Sequence, residues 1–165
     1  MKITKALMVE QGLPWHIENG TFTPSEADVQ YAIHNGVARQ LGSADHFSYG
    51  TALELLVLGA KVQRAGWESN GMWLAYMSGM KLPAYSNSSA KVKVNDRTKD
   101  LVGADTAVTL APYISMWTAQ GTLQPGWLPS QADQFAADWR LDESQVEGKQ
   151  FYLIDLGANA LSINV

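Results

Sequence analysis

The sequence contains no cysteine, which excludes disulfides, thiolate nucleophiles and cysteine-ligated metals. Charge is also scarce: 17% of residues are Asp, Glu, Lys or Arg, against about 25% in an average soluble protein. The net charge of −4 argues against a nucleic-acid polymer or an anionic membrane surface as partner. No apolar run approaches the roughly 20 residues of a membrane span. The stretch "MKITKALMVEQGLPW" is too short in apolar residues for a secretory signal, so a soluble, cytoplasmic protein is expected. The three histidines, His16, His34 and His46, lack metal-ligand spacing such as H-E-x-x-H and read as solvated or locally hydrogen-bonded. There is no phosphate-binding glycine loop, no G-x-G-x-x-G and no G-x-S-x-G. The expectation is a protein without metal, cofactor or catalytic machinery.

What is present is apolar and aromatic. Hydrophobic residues make up 46% of the 165, including six Trp and six Tyr. That length suits one domain, or a domain with extensions. So little charge beside so many rings leaves apolar surface for oligomerisation or for flat aromatic sites.

Local signals predict an α+β order of helices and antiparallel hairpins. In "TFTPSEADVQYAIHNGVARQLG" Thr23 is the N-cap, Pro24 opens a helix, Glu26 completes a capping box and Gly42 stops it. "HFSYGTALELLVLGAKV" repeats the pattern, with Ser48 as N-cap, a helix through about Leu58 and Gly59 after it. "AKVQR" and "MWLAYM" then read as strands around a Gly66–Gly71 turn, in which Asn70-Gly71 is the hairpin signal. Both faces of the second strand are apolar, Met72, Leu74 and Tyr76 against Trp73, Ala75 and Met77, so its second face should meet another layer, a ligand or a partner chain. Residues 78–111 read as irregular, with "KVKVND" as a short lysine-guarded edge strand. "PYISMWTAQGTLQPGW" is a second hairpin turning at Ala119-Gln120-Gly121. "SQADQFAADW" is a short helix capped by Ser130 and Asp133, with Phe135 and Ala136 facing inward. "WRLDE" and "QFYLIDLGANALSINV" close the chain as strands.

Asp133, Asp138, Asp142 and Glu143 offer a carboxylate pair of the kind glycosidases use. Asp133 is better explained as a helix cap, and Asp142 and Glu143 as surface charge. The binding groups that remain cluster at hairpin ends: Trp67, Trp73, Trp117 and Trp127, with Asn70, Ser130, Gln131 and Asp133. Indole rings stack on purines, Asn, Gln and Asp read base edges or ribose hydroxyls, and Arg64 is a charge partner for a phosphate. The competing reading makes Trp73 and Trp117 ordinary core, and Ser130 and Asp133 only a cap.

Two stretches, "TALELLVLGAKVQRAGWESNGMWLAYM" and "PYISMWTAQGTLQPGWLPSQADQFAADW", closely resemble the second Thoeris anti-defence family of phages, from about Phe47 to Leu141. The resemblance implies a small antiparallel sheet built from hairpins with a packed helix, assembled as a homotetramer. It implies a non-enzymatic sponge that sequesters glycocyclic ADP-ribose, the Thoeris signal, in the cytoplasm of the infected host. Some members look able to hold cyclic dinucleotides of CBASS defence at a separate site. Carried over by motif, the ligand-site residues are Trp67, Asn70, Trp73, Trp127, Ser130 and Asp133, with Arg64 beside them. Chemistry assigns the indoles to stacking, Asn70 and Asp133 to polar edges or ribose hydroxyls, and Ser130 to a phosphate. The division expected is an N-terminal helical extension at 1–46, a sponge domain at 47–143 and a C-terminal strand extension at 144–165. This chain departs from short members in those extensions, in the 78–111 insert and in Gly126, which separates Pro125 from Trp127. The alternatives are a phosphodiesterase or nucleotide hydrolase acting on the same signal, and a purely structural phage protein.

Overall fold

The structure, a computed structural model, describes residues 4–10 and 38–155. In order these form β1 (Thr4–Glu10), β2 (Ala38–Gln40), α1 (Tyr49–Val57), β3 (Val62–Arg64), a 3-10 helix (Ala65–Asn70) and β4 (Trp73–Met77). Then come β5 (Met80–Leu82), α2 (Asp96–Val102), β6 (Val108–Leu110), β7 (Tyr113–Trp117) and β8 (Leu123–Pro125). The last elements are α3 (Gln131–Gln134), β9 (Trp139–Leu141) and β10 (Lys149–Asp155). Mixed helices and antiparallel sheets make this an α+β fold, as expected.

The central sheet has five strands in the order β8-β7-β4-β3-β9, every pair antiparallel. The hairpin β7–β8 turns at Gly121, as its sequence indicates. One face of the sheet carries Val62, Leu74, Met116, Trp139 and Leu141, all buried. Because side chains alternate along a strand, these residues point one way, against Ala52, Leu55 and Leu56 of α1. The α1 ends are where the sequence puts them. Thr51 N–H donates to the Ser48 hydroxyl (3.4 Å), and Leu58 and Gly59 close the last turn. Full burial of a Leu side chain contributes about 1.5–3 kcal/mol, so Leu55, Leu56 and Leu74 alone supply a large share of what holds helix to sheet.

The other face of β4 meets its own neighbour strand. Trp73 lies opposite Trp117 in register, and the two rings stack 5.7 Å apart at 7°. Lys61 Nζ sits 4.8 Å above the Trp73 ring. The second apolar face is thus partly closed by stacking within the sheet, while both indoles stay half-exposed.

Around the central sheet three expectations change. The Gly66–Gly71 turn is not shaped by a left-handed Asn70-Gly71 pair: Ala65–Asn70 winds into a 3-10 helix, and only Gly71 follows in the left-handed region, at φ +62°. Six residues are too many for a tight turn, and winding them up carries Trp67 back onto the core. Next, "KVKVND" is not a strand. Val94 is buried and its N–H donates to Pro83 O (3.1 Å), while Asn95 accepts from Thr98 N–H (2.9 Å) and caps α2. An N-cap side chain at that position starts a helix and ends any extended run. The 78–111 segment is also more regular than read. β5 and β6 pair in the same register as β4 and β7, and so prolong that ladder beyond Gly79 and Pro112.

A second, three-stranded sheet in the order β1-β10-β2 joins the two ends of the described chain. β10 pairs with β1 along its full length, from Thr4↔Asp155 to Glu10↔Lys149, and with β2 on its other edge. β1 runs alongside α1, and Phe151 and Leu41 join the same core as Leu55. The helix expected to run to Leu41 gives way at Ala38–Gln40 to strand β2, whose partner is β10. The N-terminal helical extension otherwise falls at 24–37, outside the described residues, as do His16 and His34.

Candidate functional site

The register of β3 with β9 builds the site. Pairing Arg64 with Trp139 sets the arginine beside the segment that follows α3. Arg64 Nη1 donates to Asp133 Oδ1 at 2.7 Å, and Arg64 Nε donates to Asp138 Oδ1 at 2.5 Å. The guanidinium also lies 5.7 Å from the Trp139 ring centre, within cation–π range. Asp138 foremost, through its hydrogen bond, raises the Arg64 pKa, and burial only partly opposes it.

Asp133 serves three partners. Its Oδ2 accepts from Ser130 N–H (3.0 Å) and from the Ser130 hydroxyl (2.7 Å), while Asp133 N–H donates to Ser130 Oγ (3.2 Å). That is the reciprocal capping box expected from the sequence. Burial works against the charge of this carboxylate, but hydrogen bonds from Ser130 and Arg64 outweigh it and hold its pKa below the ordinary value. The backbone carbonyl of Asp133 accepts from Trp139 Nε1 at 2.9 Å, so α3 is tied to β9 as well.

Around this polar knot stand four rings. Trp139 is fully buried. Tyr49 lies tilted against it at 5.5 Å and 41°, whereas Trp67 and Trp127 approach it edge-on at 5.5 Å and 6.1 Å, and Trp67 meets Trp127 at 6.2 Å and 82°. Such edge-to-face pairs contribute about 0.5–1.5 kcal/mol each beyond burial. Trp67, Trp127 and Tyr49 are half-buried, so they line the outer side of the cluster. Gly126, with φ +77°, lets the chain turn so that Trp127 N–H donates to Ile114 O (2.9 Å) and its ring swings inward. The 3-10 helix that carries Trp67 is held at its start by Arg64 and along its length by Glu68, whose Oε2 lies 2.6 Å from Arg140 Nη2.

Of the residues singled out in the sequence, Arg64, Trp67, Trp127, Ser130 and Asp133 come together. Asn70 stands exposed at the end of the 3-10 helix, and Trp73 lies with Trp117 on the opposite face of the sheet. The sequence reading missed Tyr49 and Trp139, the hub of the cluster, and the pairing of Asp138 with Arg64. The alternation of β9, with Trp139 and Leu141 on one face, was the available signal for Trp139. Phe135, expected to face inward, is 86% exposed, because α3 ends one residue earlier and Ala136 takes the inward place. Asp142, expected at the surface, is buried, with its carboxylate accepting from the backbone N–H and hydroxyl of Ser144.

Every residue of this cluster lies in the segment from Phe47 through β9. Residues 47–141 match the model of the Tad2-like family, described as the Thoeris anti-defense 2-like domain. The chain belongs to this family. The match covers more than half of the 165 residues, and membership supports a role in phage anti-defence. A comparison with curated protein sequences gives no match. In this Tad2-like chain the sheet β1-β10-β2 lies outside the matched segment. A cleft of about 330 Å³ opens where that sheet meets the end of β9, between Leu41, Phe151, Asp142 and Gln145. Among the described residues no group of His, Asp and Glu is arranged to hold a metal, and no helix is long and apolar enough to cross a membrane.

Proposed function

We propose that this Tad2-like chain is a sponge that binds glycocyclic ADP-ribose and withholds it from Thoeris defence without cleaving it. The observation that carries the reading is the convergence of Arg64, Trp67, Trp127, Ser130 and Asp133, from two separated segments, on one aromatic cluster inside the family segment. Trp67 and Trp127 offer half-exposed rings to a purine, Asn70 sits at the rim, and the Arg64–Asp133–Ser130 knot fixes the floor. The carboxylates beside it are tied to Arg64, a poor arrangement for a general acid paired with a free general base, which supports binding over hydrolysis.

The working unit in this proposal is a homotetramer in the host cytoplasm, with the sponge domain at 47–143 and the extensions 1–46 and 144–165 beside it. The half-exposed Trp73–Trp117 face supports self-association, as closed symmetry is the usual way to cover such a surface. Cyclic dinucleotides of CBASS defence are the second ligand class to test. The deciding experiment incubates the protein with the signal, removes free ligand and denatures the protein by heat. Intact signal released in stoichiometric amount is the expected result. A cleaved product would make the protein a hydrolase, and no retained signal would leave a structural phage protein.

A further inference from the structure

Resting on the sponge reading, we infer that Asp138, rather than Asp133, is the carboxylate that touches the ligand, and that with Arg64 it selects adenine over a 6-oxo purine. Asp133 has no capacity to spare. One oxygen takes Arg64 Nη1, the other takes both the N–H and the hydroxyl of Ser130, and its side chain is only 17% exposed. Asp138 differs on each count. Its side chain is 39% exposed, Oδ1 is held by Arg64 Nε, and Oδ2 has no hydrogen-bond partner among the described residues. Arg64 Nη2 is likewise unengaged, since Nε and Nη1 make its two bonds, and neither free atom is among those closed off from solvent.

The pair therefore presents a donor beside an acceptor at the edge of the aromatic cluster, with the guanidinium 5.7 Å from the Trp139 ring against which Trp67 and Trp127 pack. A stacked adenine offers the complement along one edge, its N6 amine as donor and N7 as acceptor. Asp138 Oδ2 accepts from the amine and Arg64 Nη2 donates to the ring nitrogen. A 6-oxo purine puts a carbonyl oxygen against the carboxylate, where two acceptors repel. To offer its N1–H instead, it must turn in the plane of the stack and carry its ribose out of place. Arg64 cannot move to accommodate it, because Asp133 holds the far end of the guanidinium. Asp133 is the positioning residue and Asp138 the reader.

The test titrates the full chain calorimetrically with glycocyclic ADP-ribose and with its hypoxanthine counterpart, made by deamination, alongside melts of each variant. The wild type should prefer the adenine form by roughly five- to 150-fold, the range for one good two-point base contact. Asp138→Asn, whose amide can turn its N–H toward a carbonyl, should erase or invert that preference while melting near the wild type. Asp133→Asn keeps one oxygen to accept from Arg64 Nη1 but loses the acceptor that Ser130 uses, so it should melt earlier and, below its melting temperature, keep the preference. Wild-type preference and affinity retained in Asp138→Asn would overturn the inference and leave the sponge reading standing. A wild type that binds neither ligand would overturn both.

Discussion

Removing the carboxylate of Asp133 should cost the fold before it costs the ligand. In Asp133→Ala two supports are lost together. The capping box of α3 disappears, which removes about 0.5–2 kcal/mol, and so does a hydrogen bond between charged groups that are four-fifths buried, a contact contributing about 1.5–3 kcal/mol. Asp138 stays bonded to Arg64 through Nε, so the guanidinium is not stranded, and the backbone bond from Trp139 to the Asp133 carbonyl is untouched. The net loss is about 2–5 kcal/mol. At about 2–4 °C per kcal/mol for a chain of this size, Tm should fall by roughly 4–20 °C in thermal melts. Asp138→Ala is the control. The Asp138 side chain is 39% exposed, about twice as open as that of Asp133, and solvent-screened pairs contribute about 0–1 kcal/mol, so the melt of this variant should shift by a few degrees at most. Equal melting of the two variants, or an Asp133→Ala melt within a degree of the wild type, would refute the division between a structural and an exposed carboxylate.

The Asp133 pKa lies below its ordinary value, so its stabilisation is complete above the unfolded value of about 3.9 and is lost as pH falls through the lower folded value. Melts taken downward from about pH 4 should therefore decline more steeply for the wild type than for Asp133→Asn. Trp139→Ala, at a fully buried ring, should cost about 3–5 kcal/mol in chemical denaturation, whereas Trp67→Ala should chiefly weaken binding of the cyclic signal, by about 1–3 kcal/mol in calorimetry. Gly79 holds φ +78°, and a Cβ there would lie 2.5 Å from Leu110 O, so Gly79→Ala should lose more than the roughly 1–3 kcal/mol of backbone strain alone. Light scattering at micromolar concentration should give the mass of a tetramer, and a monomer mass would refute the self-association read from the Trp73–Trp117 face.

Features set by neighbours in sequence were legible in advance. The caps at Ser48 and at Ser130 and Asp133 each close over three residues, and the Gly121 turn is likewise local. What escaped depends on distant pairing. Arg64 reaches Asp133 and Asp138 only because β3 lies against β9, and no spacing within either segment announces that neighbourhood. The same holds for β1. Its alternation is weak, and its partner β10 lies at the far end of the described chain, so nothing in the N-terminal segment announces an edge strand of a three-stranded sheet. The first turn failed for a different reason. Asn70-Gly71 does supply a left-handed residue, but the tryptophan three places earlier buries itself by winding the intervening residues, and burial of a large ring outweighs the preference of one dipeptide.

If the chain is the sponge proposed above, the held 3-10 helix bears on how it competes for its signal. A sequestering protein must bind its signal more tightly than the receptor does, and each side chain or loop ordered on binding costs about 0.5–1.5 kcal/mol of that affinity. In this chain the helix that carries Trp67 is already fixed at its start by Arg64 and along its length by Glu68 on Arg140. Trp127 is already turned inward by the bond to Ile114. The rings are packed against Trp139, whose own indole N–H is satisfied. On the proposed sponge reading, little remains to be ordered when a purine arrives, so stacking and edge contacts would pass into affinity with small losses. The ion pairs would then serve as the rigid frame of the aromatic surface, with Asp138 and the free edge of Arg64 as the part proposed to meet the ligand.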